Sequence, residues 1–163
     1  TCGGQINSTA FDFGPTYFED ESGNAILYFS SNRTGGFEAG GTDQDIYFSI
    51  NFGPAQLAPG LNTAFNDVRP YVRKDGLEIV FDTNRLGGFG LLDIYTASRE
   101  TTASDWSPPT NLGPTINSAA NEARPTLSRD GLIMFFGSNR VGFEGPLSDI
   151  YMTTGEKVAG NDE

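Results

Sequence analysis

The chain has 163 residues, with 10 Lys and Arg against 21 Asp and Glu, a net charge of −11 and no His. The negative charge argues against a nucleic acid or an anionic membrane surface as the partner, because both attract basic protein surfaces. The lack of His excludes Ser-His-Asp catalysis and His-ligated zinc, and the single cysteine, Cys2, excludes an intrachain disulfide.

Three segments of the chain repeat the same series of motifs. In chain order, each has an acidic residue three before a Pro, an apolar run, a Ser/Thr-Asn-Arg triplet, a glycine-containing loop and an Asp-Ile-Tyr triplet. The prolines Pro15, Pro70 and Pro125 are 55 residues apart. The apolar runs at 25–29, 77–81 and 132–136 are rich in branched and aromatic residues, which predicts β-strands. Asp-Gly turns at 75–76 and 130–131 precede two of them and favour hairpins.

Short strands in repeats of about 50 residues are typical of β-propeller blades. We therefore predict an all-β fold of three blades, each with about four antiparallel strands, at residues 8–57, 58–112 and 113–152. A polar tail is predicted at 153–163. Because propellers have about four to eight blades, we expect three of them to form half of a six-bladed ring. Either further blades of a longer chain or a second copy would complete it. The first residues align with the linker at 112–117, which predicts additional sequence upstream.

The third segment has the most complete motif series, running from Glu122 through Asp130 and Arg140 to Tyr151. The series resembles the TolB-type, WD-like propeller repeat of bacterial extracytoplasmic proteins, and the resemblance covers about residues 6–152. The second segment departs from it at Arg73, where Ser is usual, and the first has no Asp-Gly turn. The resemblance implies an extracytoplasmic propeller scaffold that contacts other proteins or associates with the cell envelope.

The acidic residue before each proline is the first candidate for a binding site: Asp12, Asp67 and Glu122. It precedes the strand that lines the central channel of a propeller, and strand alternation places Arg69 and Arg124 on the same side as the acid two residues earlier. One interpretation is an axial site for a cation, a sugar or a peptide terminus. The other is that acid and arginine balance each other and fix the strand ends. Gly14 breaks the pattern and leaves Asp12 less compensated.

A second set of residues occurs once in each blade: Arg33, Asp45, Arg85, Asp93, Arg140 and Asp149. The recurrence predicts a hydrogen bond or an ion pair between the arginine and the aspartate of each blade. A residue needed in every blade serves the repeat itself. We therefore interpret this set as a structural network and not as a ligand site.

Two functions follow from these patterns. The first is a non-catalytic binding or assembly scaffold that holds a protein or a small polar ligand, such as a sugar or peptide, at the channel mouth. The alternative is a carbohydrate-active, glycoside hydrolase-like enzyme that uses the axial carboxylates. No cofactor is predicted, although the acidic loops at 19–24 and 41–45 offer the oxygen ligands that calcium prefers. The expected partner is another protein or a second copy completing the ring, with no nucleic acid and no membrane insertion.

Overall fold

Each repeat folds into a small antiparallel sheet whose strands follow one another in chain order. The computed structural model describes residues 3–38, 41–142, 144 and 147–155, and begins with a four-residue helix, α1 (Gly3–Ile6). The first sheet contains β1 (Asp12–Glu19), β2 (Ala25–Ser31), β3 (Asp45–Ile50) and β4 (Gln56–Leu57). The second contains β5 (Asp67–Val72), β6 (Glu78–Thr83), β7 (Asp93–Ser98) and β8 (Thr110–Asn111). The third contains β9 (Glu122–Leu127), β10 (Ile133–Ser138) and β11 (Asp149–Thr154).

The three sheets confirm the predicted all-β fold, which is that of a partial β-propeller. The first two have four strands, and the third has three within the described part of the chain. Two differences from the prediction concern the ends. Helix α1 was not predicted, and β11 runs to Thr154, so that the first two residues of the predicted tail belong to a strand. Residues 156–163 of that tail lie outside the described residues.

The sheets lie side by side with their first strands innermost: β1 contacts β5, and β5 contacts β9. Apolar side chains fill the two junctions between sheets. Tyr28 and Ile46 of the first blade pack with Phe81 of the second, and Ile94 of the second packs with Phe136 of the third. The second strands of the first two blades, β2 and β6, are largely buried on both faces, and their apolar runs show no polar alternation. In β10 of the third blade, Phe135 is exposed. Such a blade depends on its neighbours for most of its burial.

A bulge interrupts the first strand of every blade at the same repeat position. The pairing register shifts between Phe13 and Thr16 in β1, and the corresponding shift recurs in β5 and β9. The residue before the proline has a positive φ in all three: +61° at Gly14, +52° at Arg69 and +56° at Arg124. The bulge turns the backbone at this point, which changes the direction of the side chains around it.

Candidate functional site

The three pre-proline acids are held inside their own blades. Asp67 is fully buried and accepts hydrogen bonds from the Thr63 backbone N–H at 2.6 Å and from Nη2 of Arg85 at 2.6 Å. The same arrangement recurs at Asp12, with Ser8 and Arg33, and at Glu122, with Ser118 and Arg140. Each acid therefore joins the linker turn before its strand to the Asn-Arg loop after the next strand.

The arginine of this arrangement also contacts aromatic rings. The guanidinium of Arg85 lies over Phe81 and Tyr95, at 5.2 and 4.9 Å from the ring centroids, and Nη2 donates to the backbone oxygen of Leu61 at 2.7 Å. Arg33 and Arg140 stack in the same way on their own blades. This ion pair is covered by rings and bonded to the backbone, which is the geometry of a structural contact.

The first-blade acid is the most accessible of the three and remains well supported. Burial opposes ionisation of Asp12, but hydrogen bonds from Ser31, Ser8 and Arg33 outweigh it and hold the pKa of this carboxyl below its ordinary value. Gly14 therefore does not leave Asp12 without a charge partner, because Arg33 supplies one at 2.6 Å.

The Asp-Ile-Tyr aspartates make a different set of bonds from the one expected. Asp93 accepts from the backbone N–H groups of Phe89 and Gly90 and from Nδ2 of Asn111, at 2.5 to 3.1 Å. Asp45 accepts from the Phe37 N–H at 2.9 Å, and Asp149 accepts from the Glu144 N–H at 2.6 Å. These aspartates fold the glycine-containing loop back onto the third strand.

The expected pairing within the structural network therefore needs a correction. Arg85 forms its ion pair with Asp67, and not with Asp93, because antiparallel pairing of β5 with β6 sets Asp67 opposite Thr83, two residues before Arg85. Arg33 and Arg140 likewise bond the pre-proline acids of their own blades.

The expectation that acids and arginines share one side of the first strand also needs a correction. Asp67 points into its blade, whereas Arg69 lies in a pocket between blades. The alternation that placed them together assumes a regular strand. The bulge at Arg69 and Arg124 breaks that alternation, and the two arginines are separated from the pre-proline acids Asp67 and Glu122.

Arg69 forms an ion pair with the fully buried carboxylate of Asp82, in the neighbouring strand β6. Its Nε donates to Oδ2 of Asp82 at 2.9 Å, and its Nη2 forms a close ion pair with the same oxygen. Asp82 also accepts from the backbone N–H of Arg124 in the next blade, at 3.1 Å. Burial raises the pKa of Asp82, and the Arg69 guanidinium opposes that rise.

A hydrogen bond from the bulge of one blade to the second strand of the preceding blade recurs at the other junction with a smaller acceptor. There the backbone N–H of Arg69 donates to Oγ of Ser30 at 2.8 Å, at the repeat position that Asp82 occupies in the second blade. The third blade has Gly137 at this position. Asp82 therefore both connects two blades and orients Arg69.

An open pocket of about 540 Å³ lies where the three bulges meet, and we call it the axial pocket. It is lined by Phe11, Phe13, Gly14, Pro15, Gln44, Arg69, Pro70, Tyr71, Arg124 and Pro125. The Arg124 side chain is exposed, and its guanidinium has no ion pair with any described residue. The described lining includes two arginines and no Asp or Glu. The pocket is thus a cationic, partly aromatic site on a strongly acidic chain.

The described residues contain no group of three or more Cys, Asp or Glu arranged to hold a metal ion. None of their helices is long and apolar enough to cross a membrane.

No family model and no curated protein matches this chain. Its fold is similar to that of TolB from Acinetobacter baumannii, with a TM-score of 0.56 and 15% identity, over 86% of this chain and 29% of that one. It is also similar to a thermostable family-43 glycoside hydrolase, with a TM-score of 0.63 and 16% identity, over 92% of this chain and 56% of that one. The chain spans less than two thirds of either structure. These likenesses support a propeller-type fold.

Sequence reasoning missed several residues of the axial pocket and its support. Asp82 falls between the apolar run at 77–81 and the triplet at 83–85 and was assigned no role, although the other two blades have Ser30 and Gly137 at its position. Phe11 lies just outside the repeated motifs and gave no signal, and Gln44 lies in the loop at 41–45, which the sequence indicated only as a source of oxygen ligands for calcium. A comparison of the repeats position by position would have found Asp82, because a buried acid that only one blade carries cannot be a requirement of the repeat.

Proposed function

We propose that this chain is a non-catalytic binding scaffold whose axial pocket holds a protein segment or a small polar ligand through a carboxylate group. The observation that carries the proposal is the exposed Arg124 side chain, which lies in the pocket without an ion-pair partner among the described residues. A planar guanidinium recognises a carboxylate through two parallel hydrogen bonds. A peptide C-terminus and an acidic sugar both offer that group.

The backbone at Arg124 adds support. A positive φ is sterically costly for a residue with a side chain, and such strain is found more often at functional sites than elsewhere. The first blade has Gly14 at the equivalent position, which shows that the bulge itself does not need an arginine. The second blade uses Arg69 to engage Asp82. The Arg124 guanidinium, by contrast, makes no ion pair with a described residue and acts on Asp82 only at longer range, which leaves its N–H donors for a ligand.

The rest of the pocket suits a ligand with an apolar part next to its acid. Phe11 is largely exposed and packs edge-to-face with Phe13, with ring centroids 6.3 Å apart. Exposed rings beside a guanidinium can stack on a peptide side chain or a sugar ring. Gln44 supplies both a donor and an acceptor at the same opening.

The acids support binding over glycoside hydrolysis. A hydrolase of that type needs two carboxyl groups flanking the scissile bond. The candidates Asp12, Asp67 and Glu122 are committed to Arg33, Arg85 and Arg140, and the described lining of the axial pocket has no carboxylate. The proposed binding function requires no cofactor. We further propose that the protein acts outside the cytoplasm, on the basis of its resemblance to the TolB-type repeat.

The test compares two variants that remove the same charge at different places. Fluorescence-labelled short peptides with a free C-terminal carboxylate, the same peptides as C-terminal amides, and uronic-acid and neutral oligosaccharides are titrated with the wild type. We expect a carboxylate-bearing probe to bind, with Arg124→Gln lowering its affinity at least about tenfold. Arg129→Gln is the matched control, because Arg129 is exposed and outside the pocket lining. Equal affinities for the two variants, or no binding by any probe, would contradict the proposal.

A further inference from the structure

Three oxygen atoms in the first blade are buried and have no hydrogen-bond partner in the described structure: Oδ2 of Asp43, Oδ1 of Asp45 and the hydroxyl oxygen of Tyr47. Asp45 and Tyr47 are only 2% and 3% exposed. Polar groups at such depth are almost always hydrogen-bonded, because losing water without a replacement is costly. Three unsatisfied oxygens in one blade therefore indicate a partner that the described residues do not supply.

The three side chains lie close to one another at the start of β3. Asp45 and Tyr47 are two residues apart on this strand, and alternation directs them to the same side. A side chain at Gly36 would collide with the Asp45 carboxylate and would lie 3.6 Å from the Tyr47 hydroxyl. Burial raises the pKa of Asp45 and that of Tyr47, and the charge of Asp43 adds to both rises. We call Asp43, Asp45 and Tyr47 the oxygen cluster.

The second blade shows how the same aspartate is satisfied by the protein alone. Asp93, at the repeat position of Asp45, accepts hydrogen bonds from two backbone N–H groups and from Nδ2 of Asn111. Asp45 accepts one, from the Phe37 N–H. The first blade has Leu57 where the second has Asn111, since each of these residues pairs with the tyrosine of its own third strand. An apolar side chain thus stands in place of the amide donor.

The loop before the third strand also brings an additional negative charge in the first blade. Eight residues separate Gly36 from Asp45, whereas four separate Gly88 from Asp93. The longer loop contains Asp43 beside Asp45, and the shorter one has no acidic residue. Neither acid of the oxygen cluster forms an ion pair with a described residue. The first blade therefore has one donor fewer and one acid more at the same place, which favours a positively charged partner.

The other acidic loop, at 19–24, has no such deficit. Asp20 accepts hydrogen bonds from Nδ2 of Asn24 and from the backbone N–H groups of Asn24 and Ser22, at 2.8 to 2.9 Å. These bonds hold the pKa of Asp20 below its ordinary value. The turn itself satisfies this carboxylate. Acidic residues in a loop are therefore not what distinguishes the oxygen cluster, whereas its buried oxygens without partners are.

We propose that Asp43, Asp45 and Tyr47 bind a divalent metal cation, and that this cation is calcium. The protein ligands are all oxygens, which calcium prefers, and calcium accepts irregular coordination completed by water. The cation supplies the counter-charge that two carboxylates, one of them buried, otherwise lack. Because a bound cation keeps its ligands ionised, titration of Asp45 belongs to the calcium-free protein.

The calcium site has a structural consequence for the axial pocket. Gln44 stands between the two acids in the chain and lines that pocket. A cation held by Asp43 and Asp45 fixes the backbone on both sides of Gln44. The site is nevertheless independent of the ligand proposed for the axial pocket, since it is tested with a metal ion alone.

Terbium is the probe for this site, because Tb³⁺ binds at calcium sites and an adjacent tyrosine ring sensitises its luminescence. The chain is freed of metal with a chelator and titrated with Tb³⁺ at neutral pH. We expect saturable emission that calcium displaces. Asp43→Asn should weaken terbium binding at least about tenfold, because it removes one of two carboxylates. Asp43 is only partly buried, so this variant is expected to fold, and circular dichroism verifies its sheet content.

Two further variants separate the cluster from the general acidity of the chain. Tyr47→Phe keeps the ring and removes the hydroxyl oxygen, so emission should persist with an affinity about threefold lower or less. Glu21→Gln is the matched control, because it removes one exposed charge from the acidic loop at 19–24. It should bind terbium as the wild type does.

Thermal unfolding gives a second readout. Calcium should raise the Tm of the wild type, because it binds the folded chain and not the unfolded one, and should raise that of Asp43→Asn less. Emission that calcium does not displace, equal affinities of wild type and Asp43→Asn, or an equal loss in Glu21→Gln would each overturn the proposal. A wild-type Tm that calcium leaves unchanged would overturn it as well, and would show that a proton satisfies these oxygens.

Discussion

Arginines at two places in the second and third blades show how differently one residue type is used in this molecule. At the loop end, Arg85 is stacked on aromatic rings and bonded to the buried Asp67, and the arrangement recurs in every blade. At the axis, Arg69 binds Asp82 whereas Arg124 has an exposed guanidinium, and Gly14 replaces both in the first blade. The comparison suggests that contacts repeated in every blade maintain the scaffold, and that positions where the blades differ are where a ligand site is to be sought.

The largest loss of stability is expected when the acid–arginine ion pair that recurs in every blade is broken. Asp67→Asn leaves Arg85 and the Thr63 amide facing a neutral group inside the blade. Breaking a buried pair from one side costs roughly 3–5 kcal/mol of unfolding free energy, measured by urea unfolding. The control is Asp75→Asn, whose ion pair with Arg73 is much more exposed and should cost less than about 1 kcal/mol. Similar losses for the two variants would mean that the buried contact is not the scaffold element described above.

A smaller, pH-dependent change in stability is expected at Asp45, which accepts one hydrogen bond where its second-blade equivalent Asp93 accepts three. Burial raises the pKa of Asp45 to about 6 from an ordinary 3.8, the Phe37 amide opposes this, and Asp43 and Asp67 add to it. Its Oδ1 has no hydrogen-bond partner in the described structure. Between these two pH values the folded state holds a proton that the unfolded state has released, so stability falls as the pH rises through this range and levels off above it.

Asp45→Asn removes this titration. The decrease in unfolding free energy between about pH 4 and about pH 7, measured by urea unfolding, should therefore be smaller in the variant than in the wild type by on the order of 1 kcal/mol. Asp105→Asn is the control, because Asp105 is exposed. If Asp45→Asn keeps the pH dependence of the wild type, the buried carboxyl is not its source.

The smallest effect on stability, with the largest effect on function, is expected at the axis. Arg124→Gly relieves the positive φ of +56° and keeps the backbone N–H that bonds Asp82. The free energy of unfolding should stay unchanged or rise by up to about 1 kcal/mol, as measured by thermal unfolding, while binding of a carboxylate probe is lost. A marked loss of stability would show that the Arg124 side chain supports the fold.

Much of the fold follows from the sequence, because a strand that is buried between neighbouring blades has a continuous apolar run. The apolar runs 25–29, 77–81 and 132–136 became β2, β6 and β10, and repetition of the surrounding motifs indicated the blades. Helix α1 has only four residues and no periodic pattern, which explains why it was missed.

The site was less predictable because it depends on the bulge. Regular strand alternation places the side chains of Asp67 and Arg69 on the same side of the strand. The residues at 67–70 do not indicate that Arg69 adopts a positive φ. The one available signal is Gly14, a residue that favours such a backbone, at the equivalent position of the first blade. The partner of Arg85 was also misassigned, because it depends on the register of β5 with β6.

Carboxylate binding at the axial pocket is tested most directly by mapping backbone amide chemical shifts during titration with a tripeptide that has a free C-terminal carboxylate. We expect the shift changes to concentrate at the axial pocket, on Phe13, Gln44, Tyr71 and Arg124, and the amidated tripeptide to produce far smaller changes. Shifts that concentrate at the repeated contacts around Arg33, Arg85 and Arg140, or that are the same for the acid and the amide, would contradict it.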